Sequence, residues 1–207
     1  MTEKRPGRSR EPKDILLASN FSIAQYQRAV RDRDSECLVR FVERRFLERY
    51  IKPISGRGRH GFSIMAICCL MIESLISFRR GWSATEENGD KVFGDFFSTH
   101  EPFNGLASVA NQFYGHVRNG LLHQAETTGG WRIRRDREPL FDPETKTIEA
   151  DRFRDAVEAA LRKYCDELRG NSWDSNIWKN FRRKVDAICR NAGATYNKPE
   201  RDSKVQR

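Results

Sequence analysis

At 207 residues, with Lys and Arg numbering 38 against 29 Asp and Glu for a formal net charge of +9, the chain has room for one buried core plus tails. It is too short for two ordinary domains with separate cores. The charge favours polyanionic partners, and the five cysteines (Cys37, Cys68, Cys69, Cys165, Cys189) form no CxxC pair and all fall in helical patterns, which argues against disulfides or a zinc site and for a reducing cytoplasm.

Residues 1–14, "MTEKRPGRSREPKD", carry charge and Pro but almost nothing to bury and read as a flexible basic arm. No apolar h-region follows, so this is not a signal peptide. From Ser35, Leu38, Phe41, Val42, Phe46 and Tyr50 recur near helical spacing with Arg44, Arg45 and Arg49 between them, an amphipathic helix closed by Pro53. "SGRGRHG" is a glycine-punctuated loop. "FSIMAICCLMIESLISFRRG" is apolar on nearly every face for three turns and stops at Gly81, as a central core helix should. Its apolar run, Ile64 to Ile72, is about half the length needed to cross a bilayer, so no membrane span is expected.

"DKVFGDFFSTH" predicts a short helix through Val92, Phe93, Phe96 and Phe97. From about Pro102, Leu106, Val109, Ala110, Phe113, Val117 and Leu121 predict one amphipathic helix leading into "HVRNGLLHQAETTGG". Beyond Gly130, Trp131 and Ile133 alternate with Arg132 and Arg134, and "DPETK" is a turn between two short extended pieces, a small β-hairpin or extended loop. Asp151 then caps a helix with a stripe of Phe153, Ala156, Val157, Ala160, Leu161, Tyr164 and Leu168, ending at Gly170. A last helix carries Trp173, Ile177, Trp178, Phe181, Val185 and Ile188. The expected organisation is a single all-α helical domain over residues 15–191 with a short β-hairpin insert after the motif helix, and a polar basic tail over 192–207.

On a continuous helix His116, Asn119 and His123 share a face. Arg118 precedes His123 by five residues, which turns it roughly 140° away. The two converge only if the helix loosens near Gly120 or if a second chain contributes one of them.

"RNGLLH", Arg118 to His123, matches the Arg-x4-6-His motif of the HEPN superfamily, with a polar Asn after the Arg. The chain resembles a HEPN-domain protein over a helical body of about residues 35–190, with an apolar helix bearing Glu73 upstream. The resemblance implies an α-helical bundle and a homodimer that packs its motif helices together, so that two copies of Arg118, Asn119 and His123 line one composite cleft. It also implies metal-independent endoribonuclease activity without a cofactor, in a toxin-like or anti-phage defence role, and an antitoxin or other regulatory partner. In some HEPN toxins a modifiable Tyr stands two residues after the motif His. Here that position is Ala125, which argues against regulation by that route.

The groups suit the chemistry. RNA carries its own nucleophile, the 2′-hydroxyl, so a catalyst need only move protons and stabilise charge. His123 is the candidate general base or acid, Arg118 can fork onto non-bridging phosphate oxygens, and Asn119 can orient either. The products would be a 2′,3′-cyclic phosphate, or a 3′-phosphate, and a 5′-hydroxyl end. Trp131 could stack on bases and Arg132, Arg134 and Arg135 could hold phosphates of single-stranded RNA.

Plainer readings stand beside these. Arg118 and His123 could be a solvated helix end favoured by the macrodipole, and Trp131 could simply cover the bundle. His116 is either a second imidazole or a surface or dimer-contact residue. Glu73 either holds the Arg118 guanidinium or marks where the core helix emerges. His60 and His100 lie in loop-like contexts with no partner nearby in sequence. The rival functions are a non-catalytic HEPN-like RNA-binding or scaffolding dimer, and a helical adaptor sensing a protein or nucleotide.

Overall fold

The computed structural model describes residues 15–56, 58, 60–83, 89–135 and 139–192. The expected arm and all but the first residue of the expected tail lie outside these. The chain begins with a segment the periodicity does not announce. Strands β1 (Leu16–Ala18) and β2 (Phe21–Ser22) pair antiparallel around Asn20 at φ 58°, a left-handed position that Asn tolerates. Helix α1 (Ile23–Arg31) opens with a reciprocal cap: Gln25 N donates to Ser22 Oγ at 3.3 Å and Ser22 N to Gln25 Oε1 at 2.7 Å. Tyr26 donates to Asp186 Oδ1 at 2.9 Å, tying α1 to the last helix.

Helix α2 (Ser35–Phe46) is capped by Asp34, whose Oδ1 accepts from Cys37 N at 2.9 Å. It continues through a π turn, Leu47–Ile51, into a 3₁₀ turn, Lys52–Ile54, that holds Pro53. Helix α3 (Gly61–Arg80) is the core helix. It is long and apolar enough to cross a membrane by length and composition, which the shorter apolar run read from sequence understates, and 61% of its most apolar window is buried inside the protein. Its neighbours are α8 (Ala150–Gly170), α9 (Asn176–Ala192) and α4 (Gly89–Thr99). Gly81 ends α3 at φ +68°, and a Cβ there would stand 2.9 Å from the Asn180 Cα, so both the backbone conformation and the close crossing of α9 require glycine.

The predicted single helix after Pro102 is instead a series of short pieces. A 3₁₀ turn (Glu101–Phe103) leads to α5 (Asn104–Ala107), α6 (Ala110–Phe113), a π turn (Tyr114–Arg118) and α7 (Asn119–Gln124). Asn104, Gly105 and Ser108 are poor helix formers, and the packing of Leu106, Ala110, Phe113 and Val117 inward preserves the apolar rhythm while the backbone breaks.

Strands β3 (Arg132–Arg134), β4 (Phe141–Asp142) and β5 (Thr147–Glu149) form a sheet in the order β3-β5-β4. The hairpin predicted around "DPETK" is β4–β5, antiparallel; β3 joins it as a parallel strand. The cap of α8 is Glu149, which accepts from Arg152 N at 2.6 Å. Asp151 is released from capping and sits in the first turn.

An aromatic cluster joins these parts. Phe113 stacks on Phe153 with centroids 5.6 Å apart and meets Phe93 at 5.3 Å, Phe97 at 5.1 Å and Trp131 at 6.1 Å. His100 belongs to this core rather than to a loop: it stacks on Phe96 at 4.3 Å, and its Nδ1–H donates to the Phe96 carbonyl at 2.9 Å. Its Nε2 is buried without a hydrogen-bond partner among the described residues. Burial, reinforced by the charges of Arg79 and Lys163, lowers its pKa from the ordinary value of 6.5. The folded state therefore holds this imidazole neutral where the unfolded chain takes up a proton. Stability is fully present above pH 6.5 and falls as the pH drops below it through the depressed folded value. Denaturant midpoints from pH 7.5 to 5 should decline, and His100→Gln should flatten that part of the slope; an unchanged slope would count against this assignment.

Candidate active site

Arg118 ends the π turn and Glu73 projects from the core helix. Arg118 Nε donates to Glu73 Oε1 at 2.8 Å and Nη2 to Oε2 at 3.3 Å, a forked pair, while Nη1 donates to Asn119 Oδ1 at 3.0 Å. The Tyr114 ring lies 5.4 Å from the guanidinium carbon. Side-chain exposure is 18% for Arg118 and 10% for Glu73. Burial opposes the Arg118 charge, yet the hydrogen bond and charge of Glu73 outweigh it and leave the pKa raised. A guanidinium carries five N–H groups, so one on each terminal nitrogen remains for a ligand.

Of the two readings of Glu73, the structure has the one in which it grips Arg118. Tyr114, absent from the residues singled out by sequence, is the other support. It stands one turn before Arg118, which was the available signal, and α4 presses on it so closely that a Cβ on Gly89 would sit 2.4 Å from its ring.

Of the two ways left open for Arg118 and His123 to converge, a break at Gly120 does not occur, since α7 runs through it; the helix departs from α geometry before it, in the π turn Tyr114–Arg118. The face count that aligns His116 with Asn119 and His123 assumes an unbroken α period, and it does not carry through that turn. Asn119 and His123 do share the α7 face. Gly120 is buried and has a different purpose: a Cβ there would meet the Glu126 carbonyl oxygen at 2.5 Å, because the chain reverses at Ala125 (φ 55°) and folds back over the helix.

His123 is exposed on α7 and has no hydrogen-bond or ion-pair partner among the described residues. The structure thus brings Glu73, Arg118 and Asn119 together and leaves His123 as an uncommitted imidazole on the adjoining turn. His116 is engaged elsewhere. Its Nδ1 is 2.9 Å from Thr128 Oγ1, its carbonyl accepts from Thr128 N at 3.0 Å, and its ring lies so close to Gly129 that a Cβ there would be 2.7 Å away. It fastens the 125–130 loop to the helix; nothing in its sequence setting pointed to Thr128.

The segment proposed to bind RNA divides in two. Trp131 is 4% exposed and stacks on Phe141 at 5.3 Å, so it covers the core and offers no face to a base. Arg135 pairs with Asp151 at 2.6 and 2.9 Å and donates to the Gly56 and Gly58 carbonyls; it holds the backbone at these two glycines rather than a phosphate. Asp151, freed from capping, also accepts from Arg154 at 2.7 Å, and these two partners keep its carboxyl pKa below the usual value. Arg132 and Arg134 lie two residues apart on one side of β3, exposed and without an acidic partner among the described residues. They are the cations of this segment that remain available. Among the described residues no group of His, Cys, Asp and Glu gathers where it could hold a metal ion.

No protein-family model, curated protein or solved structure matches the chain significantly.

Proposed function

We propose that this chain is a HEPN-like, metal-independent endoribonuclease that cleaves single-stranded RNA by attack of the 2′-hydroxyl, in a toxin-like or phage-defence role. The observation that carries the reading is a guanidinium pinned by a buried carboxylate one short helix away from a free imidazole. His123 takes the 2′-hydroxyl proton, the 2′-oxygen bonds to phosphorus as the bond to the 5′-oxygen of the next nucleotide breaks, and that oxygen takes a proton from solvent; Arg118 lends its two remaining N–H groups to the phosphate as charge builds, and Arg132 and Arg134 hold the strand. A homodimer supplies the second half of the cleft. The exposed stripe of α3 supports this: Phe62, Ala66, Ile67, Leu70 and Ser74 carry no charge and are incompletely covered, and Leu122 is exposed beside His123.

One observation favours the non-catalytic alternative: three N–H groups of Arg118 already serve Glu73 and Asn119, as a purely structural clamp requires.

The test is incubation with end-labelled single-stranded RNA in excess EDTA. The parent should cleave and leave cyclic-phosphate ends. His123→Ala, at an exposed position that does not disturb the fold, should lose at least about 100-fold in rate; Arg118→Lys should lose activity while keeping a cation opposite Glu73. Salt-sensitive RNA binding with no cleavage, unaltered in His123→Ala, would favour the binding dimer.

A further inference from the structure

A cleft of about 500 Å³ lies between the end of α3, α4 and the link from α5 to α6, and none of the residues assigned above lines it. Its floor is Gly94, in the interior of α4, where glycine costs about 1 kcal/mol of helix stability relative to alanine. Packing does not require it: a Cβ would stand 3.8 Å from the Ala110 Cβ, an ordinary contact. The missing side chain keeps the space open. The opposite wall exists because the predicted continuous helix is interrupted at Ser108 and Val109.

The lining is mostly polar. Arg80 donates one N–H to Asp95 and lies over the Trp82 ring at 5.0 Å; this ion pair is half exposed, and the other N–H groups of the guanidinium have no partner among the described residues. Lys91 is exposed and has no partner among the described residues, which leaves one uncompensated positive charge. The Ser108 hydroxyl and the carboxamides of Asn111 and Gln112 are likewise exposed and unpartnered among the described residues. A carboxamide presents a donor and an acceptor in one plane and pairs with the donor–acceptor edge of a nucleobase. A carboxylate such as Asp95 can accept from ribose hydroxyls, and an ammonium beside a guanidinium suits a phosphate. The volume falls within the range of small-molecule sites.

The geometry points to a binding site for a nucleoside 5′-monophosphate group, free or at the 5′ end of a strand, with the phosphate on Lys91 and Arg80 and the base against Asn111 and Gln112. Because it uses residues other than Arg118, Asn119 and His123, it stands or falls apart from the ribonuclease reading.

Calorimetric titration of the full chain with AMP, GMP, UMP and inorganic phosphate tests it. At least one nucleotide should bind saturably and about tenfold more tightly than inorganic phosphate. Gly94→Leu, which fills the cleft, and Lys91→Glu, which reverses its charge, should each weaken that binding about tenfold or more, while His123→Ala leaves it unchanged. Since Lys91 is exposed, Lys91→Glu reads the site even where Gly94→Leu disturbs packing. Competition by a 5′-phosphorylated tetranucleotide assigns the group to a strand end, and its absence to a free nucleotide; either supports the site. No saturable binding at concentrations on the order of millimolar, nucleotide binding no tighter than phosphate, or binding that Lys91→Glu leaves intact would overturn it.

Discussion

Glu73→Ala is expected to destabilise the protein by about 3 kcal/mol and, under the proposed function, to abolish RNA cleavage. The carboxylate is 10% exposed and takes two of the guanidinium's hydrogen bonds. Removing it leaves Arg118, 18% exposed, as a cation pulled from water with no counter-charge, and breaking a buried pair from one side costs about 3–5 kcal/mol; the residual exposure of Arg118 places the value at the lower end. Replacing both partners with apolar residues, Glu73→Leu with Arg118→Met, should recover much of the lost stability, because no unpaired charge remains, and yet recover no activity. Urea denaturation of the two single variants and the double variant measures the coupling. A double variant as unstable as Glu73→Ala would show that the charge pair is not what Glu73 contributes. Restored cleavage in the double variant would remove Arg118 from the mechanism.

Phe113→Ala should cost about 4 kcal/mol, within the range for removing a fully buried phenyl ring, and by the same measure should be the most damaging single truncation near the site. The ring touches aromatic residues from α4, α8 and the segment entering β3, so the cavity it leaves is walled by several elements that cannot collapse together. Phe113→Leu should lose roughly half as much. Near-ultraviolet circular dichroism should change in the alanine variant because Trp131 loses its edge contact. A loss under about 1 kcal/mol would mean that the cluster repacks freely.

The core was legible where side chains report their own burial. The stripes through Phe41 and Phe46, through Phe93 and Phe97, and through Phe153, Leu161 and Tyr164 are all buried, since apolar side chains at helical spacing have one way to leave water. The stop at Gly81 was legible for the same local reason. Residues 15–22 were not, because two short strands joined by an Asn turn carry too little periodicity to stand out; α1 did carry a local signal, the Ser22–Gln25 cap followed by Ile23, Tyr26 and Ala29 at helical spacing, which the reading of the sequence passed over. The break-up of the helix after Pro102 was not either. Its apolar spacing satisfies one long helix, and whether the backbone follows depends on crowding by α4 and on the returning loop at Glu126.

For the candidate site, the sequence by itself determined which residue types stand together: an arginine, an asparagine and a histidine within the six residues from Arg118 to His123, and a single acid in the stretch from Ile64 to Phe78. The tertiary structure decided which of them meet. Arg118 and Glu73 are separated by 45 positions, and only the packing of α3 against the π turn turns that separation into a forked contact. Trp131 and Arg135 likewise had open alternatives until Phe141 and Asp151 arrived from later in the chain. Long-range partners compete for aromatic faces and charges against solvent and ligands, and local spacing contains no term for that competition.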